Sequence, residues 1–271
     1  MPTNSFPPDV EKASKATIYW MEQIPAPRGA MNCYLAAPDA DRRYPLIFLF
    51  MDVWGWREEL FLMARRVAAN GYCCVVPDLF YRHGRLNFER RNAEGRTVSF
   101  DSLPLEIQTH MQSFSRQVVR GTIAEDASAI LAAATSWPVS SGPAGAIGFC
   151  LGGRAAFYAG QVIPEKIRAV ASLHGTLLLT DDLSISAHTQ LDRMQGEVYC
   201  GFGELDGHAP PLVASNLQKI FEEYRHVSYR ANVHPGANHG YAMPDRDVYD
   251  PVAAERDWAT IFDMLKRQLD Q

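Results

Sequence analysis

The sequence predicts an α/β fold with a mainly parallel central sheet, helices on both faces and an N-terminal antiparallel hairpin. Three observations carry that expectation. Short continuous apolar runs of strand length alternate with longer segments of helical period from about residue 46 to the end. The 271 residues are 47% hydrophobic, which suits one large α/β domain spanning 1–271. In the run GAIGFCLGGRAAF, glycines stand on both sides of Cys150, so a buried strand can turn abruptly into a helix there.

Taken in order, residues 16–23 and 31–36 read as the opening hairpin, joined through a turn holding Pro25, Pro27 and Gly29. A continuous apolar run at 46–51 is a strand covered on both faces, and 58–69 follows with helical periodicity ending at Gly71. Strands are then expected at 72–76, 144–149, 167–173, 198–202 and 227–233. Helices are expected at 119–135, 151–161, 211–224 and 251–269. One segment breaks the rhythm: residues 80–118 are charged and aromatic and too long for an ordinary connection. An excursion after a strand's carboxyl end lies over the site face in folds of this kind, so 80–118 is a candidate cap; a surface insertion is the alternative.

The turn at Cys150 has chemical consequences. A thiol held at a helix start has the first free N–H groups beside it, which favour a thiolate and a developing oxyanion. Such a nucleophile needs a base and an orienting acid. In the α/β-hydrolase fold these follow the nucleophile in the order acid, then histidine, each on a loop after a later strand. The loop GFGELDGHAPP offers Asp206, with Glu204 and His208 as competitors and a turn-capping role as the structural alternative for Asp206. The loop VHPGANHGYAMPDR offers His239 between Asn238 and Gly240, whereas His234 beside Pro235 reads as structural.

Cys150 in GFCLGG, Asp206 in GELDGHAPP and His239 in NHGYAMPDR, together with MDVWGWREEL and VVPDLFYR, resemble the dienelactone hydrolase family, cysteine members of the α/β-hydrolase fold. The resemblance implies a catalytic triad of Cys150, Asp206 and His239 that hydrolyses an ester or lactone through a thioester. It implies an oxyanion hole from the backbone N–H groups of Val53 and Leu151, and a strand-end carboxylate, Asp52, that either accepts the thiol proton or orients the site. It also implies arginines for an anionic substrate. Arg82 fits the first place, and Met243 stands at the second, with Arg85 or Arg154 as substitutes. Arg154 is otherwise expected to pair with a surface acid. Trp54, Phe80, Tyr81 and Tyr241 are expected around the site, where an apolar ester is equally compatible. Acyl transfer and non-catalytic binding remain open alternatives.

Composition narrows the rest. A net charge of −5 and scattered basic residues argue against nucleic acid as a partner. The start MPTNSFPPDVEKASK lacks a basic and apolar secretory pattern, and no window is long enough to span a membrane. Five cysteines without a CxxC pair fit a reduced, cytoplasmic setting. The expected partner is a small-molecule ester or lactone, no metal or organic cofactor is required, and the oligomeric state is left open.

Overall fold

A computed structural model describes residues 16–270 except 85, 87 and 89. The amino-terminal stretch read above for a secretory pattern lies outside the described residues. Strands β1 (Thr17–Ala26) and β2 (Gly29–Pro38) form the expected antiparallel hairpin, with Pro25 inside β1 rather than in the turn. Strands β3 (Leu46–Phe50) and β4 (Cys73–Pro77) bracket helix α1 (Glu58–Ala69). Helices α2 (Leu105–Ser115) and α3 (Arg120–Ala133) lead to β5 (Ala144–Phe149), which runs directly into α4 (Leu151–Val162). Then come β6 (Ile167–Leu173), β7 (Gly196–Gly203), α5 (Leu212–Phe221), β8 (Val227–His234) and α6 (Pro251–Leu269).

The strands form one eight-stranded sheet in the order β1-β2-β4-β3-β5-β6-β7-β8. β2 pairs antiparallel with both β1 and β4, and every pairing from β4 through β8 is parallel. Parallel strands need crossovers and must be covered on both faces, which explains why β3, β4 and β5 are buried at every position. Because these strands all point one way, the loops after β3, β4, β5, β6, β7 and β8 open on one edge of the sheet. α6 starts where the sequence says it should: the Asp250 carboxylate accepts from the N–H groups of Val252 and Ala253 at 3.0 Å, with Pro251 in the first helical position.

The 80–118 excursion carries one helix that the sequence reading left unassigned, α2. It is bound to the strand-end loops at several points. The Phe88 N–H donates to the Trp54 carbonyl at 3.3 Å, and the Thr97 backbone exchanges hydrogen bonds with Asp245 and Asp247. Ser99 donates to the Asp247 carboxylate from both its N–H (2.9 Å) and its hydroxyl (2.8 Å). Phe80, His83 and Phe88 pack against His110 and Phe114 of α2. The segment therefore lies across the edge of the sheet where the candidate site residues emerge. No helix among the described residues is long and apolar enough to cross a membrane.

Candidate active site

The elbow at Cys150 is made by close backbone approach. A Cβ on Gly148 would run into the Gly152 carbonyl, and a Cβ on Gly152 would run into the carbonyls of Phe50 and Met51. Cys150 itself sits at φ 55°, ψ −117°, a left-handed conformation for a residue with a side chain. Such a conformation costs on the order of 1–3 kcal/mol and persists only where surrounding structure enforces it. Here the Cys150 N–H donates to the Leu173 carbonyl at 3.1 Å, and the Cys150 carbonyl accepts from Gly153 (3.0 Å) and Thr176 (3.1 Å). The thiol is left at the start of α4, next to the Leu151 N–H, for which a helix of this kind has no internal acceptor.

The other two members arrive from neighbouring loops. Asp206 follows β7 and is buried, and its two oxygens divide the work. Oδ1 accepts from the N–H groups of His208 (2.8 Å) and Ala209 (2.7 Å), while Oδ2 contacts His239 Nδ1 at 2.8 Å. The turn-capping bonds and the contact with His239 thus coexist in one carboxylate. His239, with 12% of its side chain exposed, lies close enough to Cys150 for the thiol to act on it. Burial alone would push His239 down, but the charge and hydrogen bond of Cys150 and those of Asp206 outweigh it and carry it up to about 10. Its ring lies between two others, His174 at 5.0 Å and His208 at 5.1 Å between centroids, both edge to face. His208 in turn contacts the Asp101 carboxylate at 2.9 Å.

That shift makes a testable statement about stability. A histidine raised from 6.5 to about 10 contributes stability that is fully present below 6.5 and lost as pH rises through about 10. Asp206→Asn should therefore lower the Tm more at pH 6.5 than at pH 10.5 when both proteins are scanned by calorimetry. An unchanged difference across that window would rule out a protonated His239 held by Asp206.

Asp52 is in the expected loop after β3, but the structure commits it elsewhere than the thiol. Its carboxylate forms a bidentate pair with Arg57, at 2.6 and 3.0 Å, and its Oδ1 also accepts from the Trp54 N–H at 3.1 Å. Arg57 continues to Asp245 at 2.8 and 3.2 Å, so this buried arginine joins the β3 loop to the loop after His239. The Val53 N–H, in the turn that Asp52 holds, makes no hydrogen bond among the described residues. Trp54 is buried under a second arginine, Arg246, whose guanidinium carbon lies 4.7 Å from the ring centroid.

Several arginine expectations are revised by the packing. Arg82 is held by α3: it bonds the two oxygens of Asp126 at 2.7 and 3.1 Å and reaches Glu125 at 3.4 Å. Tyr81 donates to the same Asp126 at 3.1 Å. Tyr241 is fully buried and donates to Asp257 on α6, which places its hydroxyl on the inner side of the His239 loop. Arg154 does not pair with a surface acid. It is completely buried and donates to the carbonyls of Ser115 (2.8 Å) and Val118 (3.3 Å) at the end of α2, because that charge caps a helix carboxyl end. Arg85 lies outside the described residues.

Sequence reasoning missed Arg246. Its side chain is 3% exposed, Nε has no hydrogen-bond partner among the described residues, and the nearest carboxylate oxygen among them, on Asp52, is 3.9 Å from Nη1. Cys150 is near enough for its charge to act on Arg246, and Gly240 packs against the guanidinium. The signal was present in the MPDR run just after His239, three residues beyond Met243, where no spacing rule sought an arginine.

Comparisons with known proteins bear on the family and the fold. "Putative carboxymethylenebutenolidase" of Synechocystis sp. (strain ATCC 27184 / PCC 6803 / Kazusa) is 26% identical over 239 residues, covering 87% of this chain and 91% of that protein. A protein of the same name from Escherichia coli O157:H7 is 23% identical over 271 residues, covering 95% and 90%. The crystal structure of a "Putative Dienelactone Hydrolase" from Klebsiella pneumoniae subsp. pneumoniae MGH 78578 superposes with a TM-score of 0.78 at 19% identity, covering 93% of this chain and 99% of that one. The sequence profile described as "Dienelactone hydrolase family" matches residues 31–269, so the chain belongs to the dienelactone hydrolase family, α/β-hydrolase-fold enzymes acting on lactone or ester bonds.

Proposed function

We propose that this enzyme hydrolyses the ester or lactone bond of a small anionic molecule, with Cys150 as nucleophile. The observation that carries the reading is the meeting of the strained Cys150 with His239, whose Nδ1 is held by the buried Asp206. Cys150 gives its proton to His239, and the thiolate attacks the substrate carbonyl carbon. The oxyanion is received by the N–H groups of Val53 and Leu151. The C–O bond to the alcohol breaks, the alkoxide takes the proton from His239, and a thioester remains. Water then gives a proton to His239 as it attacks the thioester; the thiolate leaves and the carboxylic acid is released. Asp206 holds the imidazole in the tautomer that this sequence needs.

In this scheme Asp52 orients the site and does not take the thiol proton. Its two oxygens are occupied by Arg57, and its bond to the Trp54 N–H fixes the turn that presents Val53. Segment 80–118 acts as the cap, joined to the loops of Trp54, Asp247 and His208. Arg246 supplies the positive charge for the substrate anion. It is a buried guanidinium beside Cys150 whose nearest carboxylate oxygen is 3.9 Å away, whereas Arg82 already bonds both oxygens of Asp126. A guanidinium in that state gains more from a carboxylate than one already satisfied. The name carboxymethylenebutenolidase, carried by the relatives, also denotes an acidic lactone substrate.

The reading is tested with a panel of activated esters and lactones, with and without a free carboxylate, against the wild type and Cys150→Ala. Turnover is expected only with Cys150 present, together with a covalent acyl adduct on Cys150 by mass spectrometry. Equal turnover by Cys150→Ala would sink it. Arg246→Met is expected to raise KM for a carboxylate-bearing ester about tenfold more than for its neutral methyl ester, the loss of roughly one charge-assisted contact. Equal effects on the two esters would remove Arg246 from substrate binding.

A further inference from the structure

Asp257, near the middle of α6, is completely buried and accepts three hydrogen bonds. His234 Nε2 reaches Oδ1 at 2.6 Å, the Tyr199 hydroxyl donates to Oδ1, and the Tyr241 hydroxyl donates to Oδ2. Asn232 donates to the Tyr199 hydroxyl at 2.9 Å, which extends the group to a second residue of β8. The backbone makes room for it: a Cβ on Gly201, in the middle of this group on β7, would strike the Tyr241 hydroxyl and the Asp257 carboxylate. A buried carboxylate with hydroxyl and imidazole partners is no efficient way to stabilise a core, since apolar side chains of similar volume fill such space as well or better.

The positions of the partners suggest what it does. His234 is the last residue of β8 and Tyr241 comes two residues after His239, so one carboxylate on α6 holds the chain on both sides of His239. We propose that Asp257 is the positioning residue of His239, acting through His234 and Tyr241. This rests on the proposed role of His239. The tie leaves the imidazole beside Cys150, with Nδ1 on Asp206 and with His174 and His208 packed edge to face against it. Tyr241 also packs against His174, at 5.5 Å between rings, so that wall of the His239 pocket depends on the same carboxylate.

The test compares Asp257→Asn, Tyr241→Phe and Tyr199→Phe in the full chain. The readouts are kcat and KM for p-nitrophenyl acetate, the pH dependence of Cys150 alkylation by iodoacetamide followed by mass spectrometry, and Tm. Misplacing a reacting group by about 1 Å costs on the order of 10²-fold in rate, so Asp257→Asn should lose about that much kcat with KM within about threefold. Its alkylation profile should also move to higher pH. Tyr241→Phe should lose about tenfold in kcat, whereas Tyr199→Phe, which removes an equal bond from outside the loop, should lose Tm but little kcat. Losses of kcat that follow Tm alike in all three variants would overturn the proposal, as would wild-type kcat and alkylation profiles in Asp257→Asn and Tyr241→Phe. If Asp257→Asn does not fold, the contrast between Tyr241→Phe and Tyr199→Phe decides. Cys150→Ala is assayed beside them: ester turnover there would defeat the nucleophile reading, while the alkylation profiles would still report on the placement of His239.

Discussion

Replacing His239 with glutamine is expected to lower kcat for an activated ester by about 10⁴-fold, with KM changed by less than about fivefold. Glutamine keeps the polarity of the site and can still contact Asp206, but it cannot take a proton from Cys150 or from the attacking water. Both chemical steps therefore lose their proton carrier. Asp206→Asn should cost less, about 10²-fold, because the imidazole remains and only its tautomer and charge support change. The double variant should be no slower than His239→Gln alone, since groups that act as a unit do not add. Steady-state kinetics on the three variants, with stopped-flow detection of the acyl-enzyme, measures all of this. A His239→Gln enzyme within tenfold of the wild type would remove His239 from the chemistry, and a double variant with additive losses would separate the two residues.

That Cys150, Asp206 and His239 come together was legible in the sequence because each follows an apolar run that reads as a strand, and parallel strands place their following loops on one edge. β5, β6, α1 and α6 have the bounds that their periodicity gives, since each buries a regular face or a whole strand. The departures are tertiary. α2 went unassigned because only Met111 of its eleven residues is buried and Leu105 is 76% exposed, so it carries almost no apolar stripe. It is held by the cluster of Phe80, Phe88 and Phe114, two members of which come from outside the helix. Arg82 was read toward the site from its strand-end position, but where a long side chain goes depends on what packs beside it, and α3 brings Asp126. The same reason hid Arg57: its partner Asp245 is 188 residues away in sequence. Charge pairing at that separation leaves no periodic trace, whereas a strand end does.

The bridge made by Arg57 should be the most costly single charge to remove. Arg57→Met is expected to destabilise the fold by about 3–5 kcal/mol, because it leaves the buried carboxylates of Asp52 and Asp245 without their shared counter-ion. In a domain of this size that corresponds to a Tm lower by roughly 10 °C. The pH dependence identifies the cause. Burial would raise Asp245, but the charge and hydrogen bonds of Arg57, with help from Arg246 and Thr97, hold it below its usual value. Its contribution is therefore present above the ordinary carboxylate value near 3.8 and lost as pH falls through the depressed one. Without Arg57 the carboxyl of Asp245 binds its proton at higher pH, so the gap in Tm between wild type and Arg57→Met should narrow from pH 7 to pH 5. A gap that stays constant would point to lost packing of the arginine stem instead. Adding Asp245→Asn to Arg57→Met separates the effects further: it should recover part of the Tm, since it removes one stranded charge. It should not recover ester turnover, because Asp52 has lost its bidentate partner and the turn that presents the Val53 N–H is no longer held from both sides.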